Sequence, residues 1–145
     1  MTDLIVWRES WLTHIPDIDE QHIAMANKIN QIIDLLGSMD SNKNCKNDLE
    51  NLLHEFSNLT HNHFSSEEAL MQKMSYPDYY GHKQEHIILR GDLAQYMRYI
   101  KCDKSIIDND VLSALKHWFI GHITGEDKAF ANYYNNKRLK GKTDI

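Results

Sequence analysis

The sequence predicts an all-α protein, an antiparallel up-down-up-down four-helix bundle with an N-terminal arm and a short C-terminal helix. Three observations carry this. Only 2 prolines and 6 glycines occur in 145 residues, too little punctuation for a many-turned β fold. Four long stretches place their apolar residues at helical spacing. The connections between them are short, which makes successive helices antiparallel neighbours. This length fits one domain, with an arm over residues 1–18, a bundle over about 19–125 and a C-terminal segment over 126–145.

The first helix is expected over residues 19–36, where Met25, Ile29, Ile32, Ile33 and Leu36 share a face and Gly37 is a natural stop. Polar residues 38–44 read as a loop. The second helix is expected over 45–74. Its broad stripe runs from Leu49, Leu52, Leu53 and Phe56 to Leu70, Met71 and Met74. Ser75-Tyr76-Pro77-Asp78 ends it, because the residue before a proline resists the α region, and Asp78 can cap the next helix.

The third helix, 79–101, aligns His82, His86, Leu89, Leu93, Tyr96, Met97 and Ile100. Residues 105–108 have the form of a capping box, and the fourth helix runs from there to about 123. Its face is Val111, Leu112, Leu115, Trp118, Phe119 and His122. A fifth, shorter helix is expected over 127–139, with residues 137–145 fraying. Trp7 and Trp11 are expected to pack the arm over the bundle.

Charge and composition narrow the function. There are 16 Lys+Arg against 21 Asp+Glu, a formal net charge of −5, which argues against a nucleic-acid partner. No apolar run approaches the ~18 residues of a membrane span. The first residues carry Asp3, Arg8 and Glu9 and lack a signal-peptide pattern. Cys45 and Cys102 form no CxxC motif, so a reducing cytoplasm is expected. The topology puts both cysteines at the same end of the bundle, where a disulfide is conceivable.

Nine histidines are the unusual count. His63 and Glu67 are four residues apart, as are His82 and His86, and both pairs interrupt apolar stripes. Residues i and i+4 of a helix differ by only about 40° in direction, so each pair points one way. His22 lies one turn before Met25, and His122 one turn after Trp118 and Phe119, again on inward faces. Counting from the loops brings these polar residues of all four helices to one height, within about one turn. His61 lies six before Glu67, about 240° away, and is excluded from the set. His14, His54 and His117 read as surface or loop residues.

Five imidazoles and a carboxylate buried at one level cannot easily satisfy one another, whereas a metal can. Imidazole with carboxylate and no thiolate suits iron, zinc, copper or nickel. The set exceeds a single tetrahedral zinc site. The sequence has no HExxH and no ExxH, which removes the zinc-protease and ferritin-like carboxylate patterns. A histidine-rich dinuclear centre remains.

The chain resembles the hemerythrin family, specifically its single-domain bacterial members, over nearly its whole length. Ile18-Asp19-Glu20-Gln21-His22 with Asn30 is similar to the family's entry to its first helix. His63-Phe64-Ser65-Ser66-Glu67-Glu68 is similar to its HFxxEE motif, and Tyr76-Pro77 with His82 and His86 to its YPxxxxHxxxH. His122-Ile123-Thr124-Gly125-Glu126-Asp127 is similar to its HIxxxD. The resemblance implies two irons per chain. His82, His86 and His122 would hold one and His22 and His63 the other. Glu67 and Asp127 would bridge them with an oxo or hydroxo ligand. Helical spacing alone does not find Asp127, which lies five after His122 and so about 140° away. A local loosening near Gly125 is expected to turn it inward.

On this reading one iron has six ligands and the other five, with an open position for a small molecule. Met25, Phe64, Trp118, Phe119 and Ile123 are the candidates for a dry O2 pocket around it, and the same residues serve as core. The leading expectation is reversible O2 binding by a carrier, store or delivery protein rather than an enzyme. The alternatives are an O2 or redox sensor acting through a separate partner, and a di-iron enzyme acting on peroxide or nitric oxide. No protein partner is identified.

Overall fold

The computed structural model describes residues 2–37, 45–102 and 109–143. A short 3-10 turn, Glu9–Trp11, precedes five helices: α1 Pro16–Gly37, α2 Cys45–Lys73, α3 Tyr79–Cys102, α4 Asn109–Thr124 and α5 Glu126–Thr143. α1 packs on α2, α2 on α3, α3 on α4, and α4 back on α1, which closes the expected bundle. The capping box expected at 105–108 and the side chains of Cys45 and Cys102 lie outside the described residues.

Two boundaries differ from expectation. α1 begins at Pro16, three residues early, because proline is well placed in a first helical turn and Asp17 and Asp19 follow it there. The Asp19 carboxylate accepts from the backbone N–H of Thr13 at 2.7 Å and of His14 at 3.1 Å, and from the Thr13 hydroxyl at 2.8 Å. α5 is longer than expected and continues through Thr143 rather than fraying from 137. Contacts made early in the helix support it. Phe130 and Ala131 are buried against Ile15, Ile18 and Met71. Lys128 Nζ donates to Leu12 O at 2.7 Å, and Asn135 donates to Thr13 O at 2.8 Å.

α2 ends as its sequence suggests. Ser75 takes φ 52°, and Tyr76 N–H reaches back to Met71 O at 2.9 Å, the bonding of a left-handed helix stop. The Asp78 carboxylate then sits against Gly81, where a Cβ would collide with it. The arm is fastened too. Ile5 is buried in the core, its N–H donates to Asn30 Oδ1 at 2.7 Å, and Asn30 Nδ2 donates to Ile5 O at 2.9 Å. Trp7 and Trp11 meet edge to face at 5.4 Å and pack on the main core.

The interior has two apolar clusters. The larger gathers Met25, Ile29, Ile33, Leu53, Phe56, Leu115 and Phe119 with their neighbours. The smaller gathers Ile15, Ile18, Met71, Phe130 and Ala131. Histidine rings touch both: His86 stacks on Phe64 of the first at 4.0 Å, and His82 meets Phe130 of the second at 6.5 Å. The polar level therefore lies between two dry layers.

Candidate metal centre

Each bundle helix delivers its polar residue on the face that its apolar neighbours bury. α1 supplies His22, α2 His63 and Glu67, α3 His82 and His86, and α4 His122. All six are buried, at 0 to 3% exposure. Asp127, a first-turn residue of α5, is buried with them at 1%. The backbone explains its placement. The helix breaks at Gly125, between Thr124 and Glu126, while Gly125 N to Gly121 O and Ala129 N to Gly125 O both span 3.0 Å. α5 starts anew at Glu126, so Asp127 is not bound to the helical phase of α4 and lies buried in the cluster.

The carboxylate oxygens sort the imidazoles into two groups. Asp127 Oδ2 lies 2.7 Å from His22 Nε2 and 3.0 Å from His63 Nε2. Asp127 Oδ1 lies 3.1 Å from His82 Nε2 and 3.0 Å from His122 Nε2. Glu67 divides in the same way. Its Oε1 contacts His82 Nε2 and lies 3.3 Å from His86 Nε2, while its Oε2 lies 3.5 Å from His63 Nε2. One group is therefore Glu67, His82, His86, His122 and Asp127, and the other is His22, His63, Glu67 and Asp127. Within each, one ligand-type atom per residue lies within 4.8 Å of all the others.

Asp127 hydrogen-bonds with His22, His63 and His82, but the cluster does not satisfy all of its atoms. Both Glu67 oxygens, His86 Nε2 and His122 Nε2 are buried without a well-formed hydrogen bond. Each buried unsatisfied polar atom costs about 1–3 kcal/mol, so the closed cluster strains the fold. A divalent metal would accept these lone pairs together, and an all imidazole and carboxylate donor set suits it. The residues fit the group that the sequence implies.

Protonation follows the same geometry. Burial pushes the His63 imidazole down to about 4, against the pull of Asp127. Burial, aided by His122 and His82, pushes His86 down to about 2. Burial also works against a charged His82, but hydrogen bonding to Asp127 and the adjoining Glu67 carboxylate outweighs it and lifts that ring to about 10. Glu67 is held well above the usual carboxylate range by burial and by the Asp127 charge. Burial would raise Asp127 as well, yet His122, His22 and His63 hold it well below that range.

The other histidines behave as expected. His14, His54, His61 and His117 are all exposed, so the structure separates His61 from the cluster that His63 joins. Met25, Phe64, Trp118, Phe119 and Ile123 are buried in the larger core. Phe64 stacks on His86, and the Phe119 ring is 6.4 Å from that of His22. Sequence reasoning assigned no role to two residues that touch the cluster from outside. His63 Nδ1 is 2.8 Å from Gln21 Oε1, and His86 Nδ1 is 3.0 Å from Glu68 Oε2. Each is the chain neighbour of a cluster residue, but the contact crosses to another helix and needs the antiparallel register to be seen.

A helical bundle that gathers five imidazoles and two carboxylates at one buried level defines a class of protein whose core could hold metal. Within that class the chain belongs to the hemerythrin family, since the family model described as hemerythrin HHE cation binding domain matches residues 13–134. The bacteriohemerythrin of Stenotrophomonas maltophilia is 28% identical over 129 residues, covering 89% of this chain and 80% of the relative. A hemerythrin chain of Sipunculus nudus is 32% identical over 130 residues, covering 90% and 93%. The fold matches a crystal structure of wild-type hemerythrin with a TM-score of 0.75 at 25% identity, over 90% of this chain and 97% of that one. No helix among the described residues is long and apolar enough to cross a membrane.

Proposed function

We propose that the protein binds O2 reversibly at a non-haem di-iron centre, as a carrier, store or delivery protein. The observation that carries this reading is the unequal split of imidazoles about two shared carboxylates. His82, His86 and His122 with one oxygen each of Glu67 and Asp127 make five donors. His22 and His63 with the other two oxygens make four. A bridging oxo or hydroxo ligand would complete octahedral coordination on the first side and leave one position open on the second. Two ferrous ions held there supply the redox equivalents for reversible O2 binding.

The chain's own residues account for the rest. Glu67 and Asp127 fix the separation of the two halves. Phe64 and Phe119 lie against the rings of His86 and His22, and with Met25, Trp118 and Ile123 they keep water from the cluster. A dry wall favours binding over turnover, because reactive products do not escape into solvent. The family membership supports the same reading, as does the bacteriohemerythrin likeness. A cytoplasmic site of action is part of the proposal.

The test is to load ferrous iron without air, admit O2, then remove it. Two irons per chain and visible charge-transfer absorption that appears and disappears reversibly are expected. One-way conversion with substrate consumed would make the protein an enzyme, and one iron or none would overturn the reading.

A further inference from the structure

We infer that Glu68 and Gln21 are positioning residues that make the two halves of the cluster electronically unequal, so that a bound metal pair is oxidised first on the three-histidine side. This rests on the reading of the cluster as a metal centre. Each half contains one imidazole whose outer nitrogen is held by a residue that is not in the cluster. On the three-histidine side His86 Nδ1 is 3.0 Å from Glu68 Oε2. On the two-histidine side His63 Nδ1 is 2.8 Å from Gln21 Oε1. Both acceptors are oxygens, so Nδ1–H donates in each case and the Nε2 lone pair faces the cluster. The two partners thereby fix the same tautomer.

They differ in charge. Glu68 is a carboxylate with a side chain only 22% exposed, so solvent screens it incompletely. A carboxylate draws the shared proton toward itself and makes the ring a stronger donor at Nε2. The amide carbonyl of Gln21 is neutral and orients its ring without that push. Two of the other rings, one in each half, have no such partner. His22 Nδ1 and His122 Nδ1 are buried without a hydrogen bond, and the Glu126 carboxylate stands 3.9 Å from His122, too far for one. A stronger donor favours the higher oxidation state of the metal it binds. Of two irons held there, the one in the fully ligated half would have the lower potential and would give the first electron to the electrode or an added oxidant, while the half with fewer ligands would keep its reduced ion.

Three full-length variants test this: Glu68→Gln, Gln21→Glu, and Glu126→Gln as a carboxylate of similar placement without the hydrogen bond. Three readings are taken. These are iron affinity by chelator competition, midpoint potentials by spectroelectrochemical titration, and melting of the metal-free protein. Glu68→Gln should weaken iron binding about ten-fold and raise the first oxidation potential. Gln21→Glu should lower the potential of the two-histidine half and narrow the gap between the two steps. Glu126→Gln should move neither step comparably, and the metal-free proteins should melt alike. Unchanged potentials in both single variants, or an equal shift in Glu126→Gln, overturns the inference. So does a shift matched by a loss of metal-free stability, since packing would then explain it. A wild-type chain that takes up no iron refutes the metal reading instead.

Discussion

At the scale of single residues, the cluster is a set of lone pairs whose protons are already arranged. His63 and His86 are held neutral by burial, at about 4 and about 2, and so face the centre ready to donate. His82 and Glu67 are not ready. The ring is lifted to about 10 by its carboxylate neighbours and the carboxyl is raised well above its ordinary value, so the metal-free His82–Glu67 pair holds a proton at neutral pH. Metal uptake would expel it. Acid therefore opposes loading, and iron affinity falls as pH falls. A pH-stat should record proton release on adding ferrous iron at pH 7. The same logic separates two histidines that look alike in sequence. His63→Ala should abolish loading of the two-histidine half, and His61→Ala, at an exposed position, should leave iron content unchanged by elemental analysis. Phe119 is fully buried beside His22. Phe119→Ser should admit water and speed autoxidation several-fold in an absorbance time course.

At the scale of elements, the decisive feature is the break between α4 and α5. An unbroken helix would carry Asp127 about 140° away from His122. The chain is instead interrupted at Gly125, α5 begins at Glu126, and Asp127 is buried beside His122. Gly125 is also sterically committed, since a Cβ there would lie 2.9 Å from Gly121 O. Gly125→Ala should cost about 1–3 kcal/mol in urea unfolding and weaken metal retention, because relief of the contact moves α5 and its carboxylate. Helical spacing identifies the inward polar faces of α1 to α4 because each helix is continuous through its cluster residues. It cannot identify Asp127, because the element on which periodicity depends ends before it. The late end of α5 escapes sequence reading for a related reason: its support comes from Ile15, Leu12 and Thr13, far away in sequence.

At the scale of the whole molecule, the polar level sits between two apolar clusters and carries buried unsatisfied atoms. The metal-free cluster opposes folding, and the occupied one would favour it. Iron-loaded protein should therefore melt above metal-free protein, by about 10 °C at a thousand-fold excess over Kd. Differential scanning calorimetry of the two forms, with a chelator to reverse the shift, measures this. Equal melting would contradict the metal reading.

The amino-acid sequence by itself determined the helices, their antiparallel order and the inward direction of His22, His63, Glu67, His82, His86 and His122. Those properties are local, set by the 3.6-residue period and by short connections. Resemblance, rather than periodicity, pointed to Asp127. Only the tertiary structure decided how Glu67 and Asp127 divide their oxygens between the histidine groups, and that Gln21 and Glu68 stand behind His63 and His86. Those properties join different helices. They depend on the register and rotation of one helix against another, which packing sets and no single stripe records.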